Sequence, residues 1–184
     1  FDQIKPEHVS PAIDVLLAQA EAALEKVTGP DVPADYDALS LMLDVATETL
    51  GRAWGAVGHL NSVADTAELR AAYNENLPRM TEFYTRLGAD ERLYAKYKAL
   101  ALSEQGLTLS APRKRALDNA LRGFVLGGAE LQGAAKERFA AIQEQQAALS
   151  QAFSEHVMDA TDAFAHYAST EDLAGVPQDV QDAT

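Results

Sequence analysis

Apolar residues recur along most of this chain at steps of three and four, the spacing that gathers them on one face of an α-helix. In the first run, Ile13, Leu16, Leu17, Ala20, Leu24 and Val27 share such a face. Ser10 reads as its N-cap with Pro11 at the first helical position, and Gly29 with Pro30 ends it. After Pro33, Leu39, Leu43, Ala46, Leu50, Ala53, Val57, Leu60 and Ala64 alternate steps of four and three, a coiled-coil-like seam. Gly51, Gly55 and Gly58 fall inside this second helix, each costing about 1 kcal/mol relative to Ala. They predict close approach by a neighbouring helix in preference to a hinge.

Thr66 caps a third helix with Leu69, Tyr73, Leu77, Met80, Tyr84 and Leu87 on one stripe. Pro78 lies within it and predicts a kink, not a break, because the stripe stays in phase beyond it. Gly88 closes this helix, and Asp90 caps a fourth bearing Leu93, Tyr94, Tyr97, Leu100 and Ala101 before Gly106. Ser110 and Pro112 open a fifth with Leu117, Leu121, Phe124 and Val125, stopped by Gly127 and Gly128. A sixth starts near Gly133, with Phe139, Ile142, Gln146, Leu149, Phe153, Val157 and Ala160 marking its stripe and the polar Gln146 as one defect. From Thr161 the pattern suits either a short strand over Phe164 to Ala168 or more helix, and a strand there needs a partner from elsewhere. Thr170 to Leu173 reads as the start of a short helix. The expectation is an all-α fold, an antiparallel bundle of about six helices with a short strand left open near the C-terminus, in one domain over residues 1–184.

Composition supports the class, since Ala, Leu, Glu and Gln dominate. Charge adds a constraint. Fifteen Lys and Arg stand against 28 Asp and Glu, a formal charge of −13. Residues 1–50 hold ten acids and two bases, and residues 151–184 hold seven acids and no base. Such a surface repels phosphate backbones, so no nucleic-acid partner is expected. The basic run Arg113, Lys114, Arg115 reads as a solvated helix face turned towards acidic neighbours. With no Cys, thiolate chemistry and disulfides are excluded, which suits a reducing compartment; the expected location is cytoplasmic. No apolar stretch approaches the ~20 residues of a membrane span, so no membrane partner is expected.

Candidate chemistry is sparse. The histidines His8, His59, His156 and His166 include no His-Glu-x-x-His pair, whose imidazoles would hold zinc beside a general-base glutamate. The best metal constellation is Glu155, His156, Asp159, Asp162 and His166, set at helical-turn intervals; a solvated acidic helix end is the preferred reading. Trp54 and His59, five residues apart, share a helix face poorly. Trp54 is therefore expected in the core, with His59 and Asn61 hydrogen-bonded to a neighbouring segment. No catalytic, cofactor-binding or metal-binding residue is expected on this chain.

Several segments in order resemble the thimet-oligopeptidase-like zinc peptidases. They are Ile4-Lys5-Pro6-Glu7-His8-Val9 with Pro11-Ala12, His59-Leu60-Asn61-Ser62-Val63, Leu69-Arg70-Ala71-Ala72-Tyr73 with Leu77-Pro78, and Leu93 to Leu100. Asn119-Ala120-Leu121-Arg122 with Phe124, Val157 to Thr161, and Glu171 to Pro177 follow. The resemblance implies a polypeptide several times longer, with two helical lobes flanking a channel for short peptides and a zinc site far beyond residue 184. It also implies that the segment Ala163 to Ser169 is extended. On this reading the chain is the N-terminal helical part of a zinc oligopeptidase, inactive alone, whose partners are short peptides and the remainder of the same polypeptide. The rival is a free-standing interaction module that binds partner helices through the seam of residues 39–64.

Overall fold

A computed structural model describes residues 1–182. In chain order the helices are α1 (Pro6–Thr28), α2 (Tyr36–Val63), α3 (Ala67–Gly88), α4 (Glu91–Leu102), α5 (Glu104–Thr108), α6 (Ala111–Leu126), α7 (Ala134–Ala163) and α8 (Gln178–Gln181). The chain divides into two compact units, Phe1–Leu149 and Ser150–Thr184. The second holds the end of α7, an irregular stretch and α8.

Within the first unit the expected caps form where a short oxygen side chain precedes a helix. Asp35 Oδ1 accepts the amide of Ala38 at 2.9 Å, Thr66 Oγ1 that of Leu69 at 3.2 Å, and Asp90 Oδ1 those of Arg92 and Leu93 at 2.9 and 3.0 Å. The start of α1 departs from expectation. Lys5, not Ser10, is the N-cap, and Pro6 occupies the first helical position, where its missing amide costs nothing. His8 Nδ1 accepts the Lys5 amide at 3.2 Å, which supplies the return bond that a capping serine would not. Pro11 therefore lies inside the helix, near enough to its start to forfeit one bond. Pro78 sits within α3 without ending it.

The directions of packing follow from pairs of contacts. Ser10 with Asn76, Asp14 with Arg79 and Glu21 with Arg86 advance together, so α1 and α3 run parallel. Tyr84 reaches Thr47 and Tyr73 lies beside Gly58, so α2 runs antiparallel to α3. Two apolar cores result. One joins Val9, Ile13, Leu17 and Ala20 of α1 to Leu50 and Val57 of α2 and to Leu69, Met80 and Phe83 of α3. The other joins Leu24 and Val27 to Leu39 and Leu43, then to Leu93 and Leu100 of α4 and Leu117 and Phe124 of α6. Leu87 packs against both.

Three features of the sequence reading are corrected. First, α4 ends at Leu102, and a separate helix α5, capped by Ser103, follows before α6. Second, residues 164–169 are irregular and no strand occurs among the described residues. Thr170 to Leu173 is a turn closed by Ser169 and Asp172, whose side chain accepts the Ser169 amide at 2.8 Å. Third, the stripe of α7 is not buried. No residue of α7 is buried, and Leu149 and Phe153 are 72% and 70% exposed.

The α2 glycines only partly match the close-approach reading. A Cβ on Gly51 would meet the Tyr84 hydroxyl and one on Gly58 the Tyr73 ring at ordinary contact distance, 3.4 and 3.7 Å, and one on Gly55 would meet nothing within 4 Å. Gly106 is different, because a Cβ there would lie 2.0 Å from the Leu100 carbonyl oxygen. Gly106→Ala should lower the unfolding free energy by at least about 2 kcal/mol, since the helix α4 end must move. Gly55→Ala should raise it by about 0.5–1 kcal/mol by restricting the unfolded chain. Urea unfolding of the two variants reads both signs, and destabilisation by Gly55→Ala would show that something presses on that face.

Candidate functional site

The sequence-selected metal candidates do not come together. Glu155, His156, Asp159 and Asp162 lie on α7, which ends at Ala163, so His166 falls in the irregular stretch beyond it. Among the described residues no group of three His, Asp or Glu is placed to hold a metal ion. The basic run behaves as expected at its first member. Arg113 pairs with Asp37 at 3.0 Å and lies 4.9 Å from the centre of the Tyr36 ring.

Trp54 is half-buried and stacks on Tyr73, with ring centres 4.5 Å apart and planes 14° from parallel. His59 is exposed and meets the ring of Phe1 at 5.1 Å. Asn61 is buried, yet its Oδ1 has no hydrogen-bond partner, so the expected bond to a neighbouring segment is absent there. The well-satisfied buried amide is one that apolar periodicity passed over. Asn76 Nδ2 donates to Ser10 Oγ and to the Ala72 carbonyl, both at 2.8 Å, while its Oδ1 accepts from Arg79 at 2.8 Å. Its polar side chain sits where a helical stripe would place an apolar one, so pattern alone could not mark it as core.

Among the concave regions of the first unit, two are bordered by α2. A cavity of about 510 Å³ is bordered by Trp54, Leu77, Met80, Tyr84 and Phe139, with Thr85 and Gln143 as polar members. The second region is a groove between α2 and α6, floored by α4, with two cavities of about 400 and 200 Å³. Both cavities are bordered by Asp44, Tyr97 and Ala120. Asp44 is exposed, yet partial desolvation against the groove walls pushes its carboxyl up from its ordinary value, countered in part by a hydrogen bond from Ser40. Burial pushes the Tyr97 phenol up to about 12, with the negative charge of Asp44 as the next cause. In the sequence Asp44 sits between Leu43 and Val45 and looks like any solvated acid beside a seam, which is why it was not singled out.

A charged cluster at the α1 to α4 contact is structural. Arg92 donates to both oxygens of Glu25 at 2.9 and 2.7 Å and to Asp90 Oδ2 at 2.8 Å. The hydrogen bond from Arg92 holds Glu25 below its ordinary value. Burial raises Asp90, but bonds from Arg92 and the Leu93 amide outweigh it and leave that carboxyl low.

This architecture, two apolar cores built from helices alone among the described residues, is that of an all-α helical domain. The family model for the neurolysin/thimet oligopeptidase N-terminal domain matches residues 13–136. The chain belongs to that family. It is 38% identical over 179 residues to oligopeptidase A of Salmonella typhimurium, covering 97% of this chain and 26% of that protein. It is 36% identical to oligopeptidase A of Escherichia coli, covering the same shares. It is also 37% identical over 167 residues to the probable cytosolic oligopeptidase A of Arabidopsis thaliana, covering 89% and 23%. The chain thus spans about a quarter of the length of the curated relatives it matches. No described helix is long and apolar enough to cross a membrane.

The two buried asparagines should respond oppositely to substitution. Asn76→Leu strands the Arg79 and Ser10 groups and should cost about 2 kcal/mol in chemical denaturation, whereas Asn61→Leu removes an unmet acceptor and should be neutral or stabilising by up to about 1 kcal/mol. Equal losses in both would show that Asn61 has a partner in solution. For Glu25 and Asp90 the folded values lie below ordinary ones, so their contribution is present above the unfolded values near 4.5 and 3.8 and is lost as pH falls through the lower folded ones. Arg92→Gln should therefore flatten the acid limb of stability below about pH 4.5. Thermal melts from pH 6 to pH 2 check this; parallel wild-type and variant curves would refute it.

Proposed function

We propose that this chain is the N-terminal domain of a zinc-dependent oligopeptidase, walling one side of a channel that admits short peptides. The carrying observation is the similarity to the oligopeptidases A, which covers nearly all of this chain and about a quarter of theirs. A zinc ion does not fit the described donors, which form no group of three, so no step of hydrolysis is assigned to these residues. On this reading the catalytic, cofactor and metal residues all belong to the remainder of the same polypeptide, which also packs beside this domain. The open apolar stripe of α7 suits such packing. A cytoplasmic location accords with the lack of Cys and with the Arabidopsis thaliana relative being named a probable cytosolic oligopeptidase A.

The rival reading, an interaction module working through the seam of residues 39–64, lacks its surface. Leu39, Leu43, Leu50 and Val57 are buried within the chain's own cores. Incubating the 184-residue chain with zinc and an internally quenched short peptide should give no turnover above buffer, while the reading frame that continues this chain should encode a His-Glu-x-x-His. Zinc-dependent cleavage by this chain alone, or a frame without that motif, sinks the proposal.

A further inference from the structure

The ends of two helices meet beside the cavity of about 510 Å³. It is bordered by Gly88, the last residue of α3, and by Leu126 and Gly127 at the end of α6. The two ends lie against each other, since a Cβ on Gly127 would stand 2.7 Å from the Gly88 carbonyl oxygen. Among the described residues no donor reaches the carbonyls of Gly88, Leu126 or Gly127. Each helix end carries a partial negative charge on such carbonyls, so two of them sum at this place. Thr81, also on the border, donates its hydroxyl proton to the Leu77 carbonyl at 2.9 Å, which leaves its oxygen as a further acceptor.

The remaining walls are largely aromatic. Trp54, Tyr84 and Phe139 border the cavity, and Trp54 is held in place by its stack on Tyr73. No Asp, Glu, Lys, Arg or His borders it, so an anion would meet only acceptors and ring faces, while a cation would meet no competing side-chain charge. Acceptors select a donor, ring faces select a cation over a neutral donor, and an apolar lining of this volume calls for a body larger than the charged group. We infer that this cavity binds a primary ammonium carried on a flat apolar body, an arylalkylamine, with the ammonium at the helix ends and the ring against the aromatic walls. This inference goes beyond the peptidase reading and stands without it, because binding is measured on this chain with no cleavage involved.

Trp54 is the only tryptophan of the chain, so its fluorescence reads the cavity directly. The test titrates the chain at neutral pH with phenethylammonium chloride, phenethyl alcohol and hydrocinnamate, which share a phenyl ring and differ in charge. The ammonium should give a saturable change and bind about tenfold more tightly than the alcohol, and the carboxylate should give none. Leu126→Arg, which sets a cation at an exposed position on the border, should abolish that preference with circular dichroism unchanged. Thr81→Val, which removes one acceptor and keeps the shape, should reduce it about threefold or more. No saturable change, equal affinity for ammonium and alcohol, saturable binding of the carboxylate, or a preference undiminished in either variant that folds overturns the inference.

Discussion

The pairing of α1 with α2 is the constraint on which the rest of this structure depends. Both helices contribute to both apolar cores, α1 through Val9, Ile13 and Ala20 to one and Leu24 and Val27 to the other, α2 through Leu50 and Val57 and then Leu39 and Leu43. Helices of this length gain stability from a buried face more than from propensity. The turn between them is held from outside. Lys96 of α4 donates to the Gly29 carbonyl at 2.6 Å and to that of Val32, placing a cation where the exposed carbonyls of α1 end. Gln105 of α5 meets Asp35 and the Tyr36 amide at the start of α2, so the later helices fix the hairpin's closed end.

From that spine the concave surfaces follow. α3 lies on the half where α1 begins, and α4 with α6 lies on the half where it ends. Arg113 meets Asp37 near the starts of α6 and α2, and Ala120 faces Asp44 further along, so those two helices run side by side in one direction. Both rest on α4 without closing on each other, which leaves the groove. Asp44 at this junction stays exposed yet is partly desolvated by the helices beside it, and its environment has to be understood from three helices at once.

Much of this arrangement was legible in the residues. Stripes at steps of three and four located every helix of twelve residues or more, and Thr66 and Asp90 located two of the starts, because these signals are local. What was not legible depends on distant partners. Ser10 has every local mark of a cap, but its hydroxyl donates to Glu75 at 3.0 Å across to α3, and the helix begins earlier. The short α5 is hidden because Gly106, read as a stop, is instead the position that lets the chain press against Leu100. The stripe of α7 showed a helix correctly and its burial incorrectly, since periodicity reports which face is apolar and not whether anything covers it. The candidate site fared worst: Asp44 differs from its acidic neighbours only through the helices around it.

The charge asymmetry of the sequence also takes on a different meaning. The acids of the first fifty residues are partly matched by bases from later helices: Asp14 with Arg79 and Glu21 with Arg86 at 2.5 Å, Glu25 with Arg92, and Asp37 with Arg113. These pairs are about half exposed, so each adds little to stability. Their spacing matters more than their strength. Asp14 and Glu21, like Arg79 and Arg86, are one heptad apart, so sliding α3 along α1 by a turn would set these arginines away from their acids. A block of like charge that seems to call for an external partner is thus partly a register device between helices.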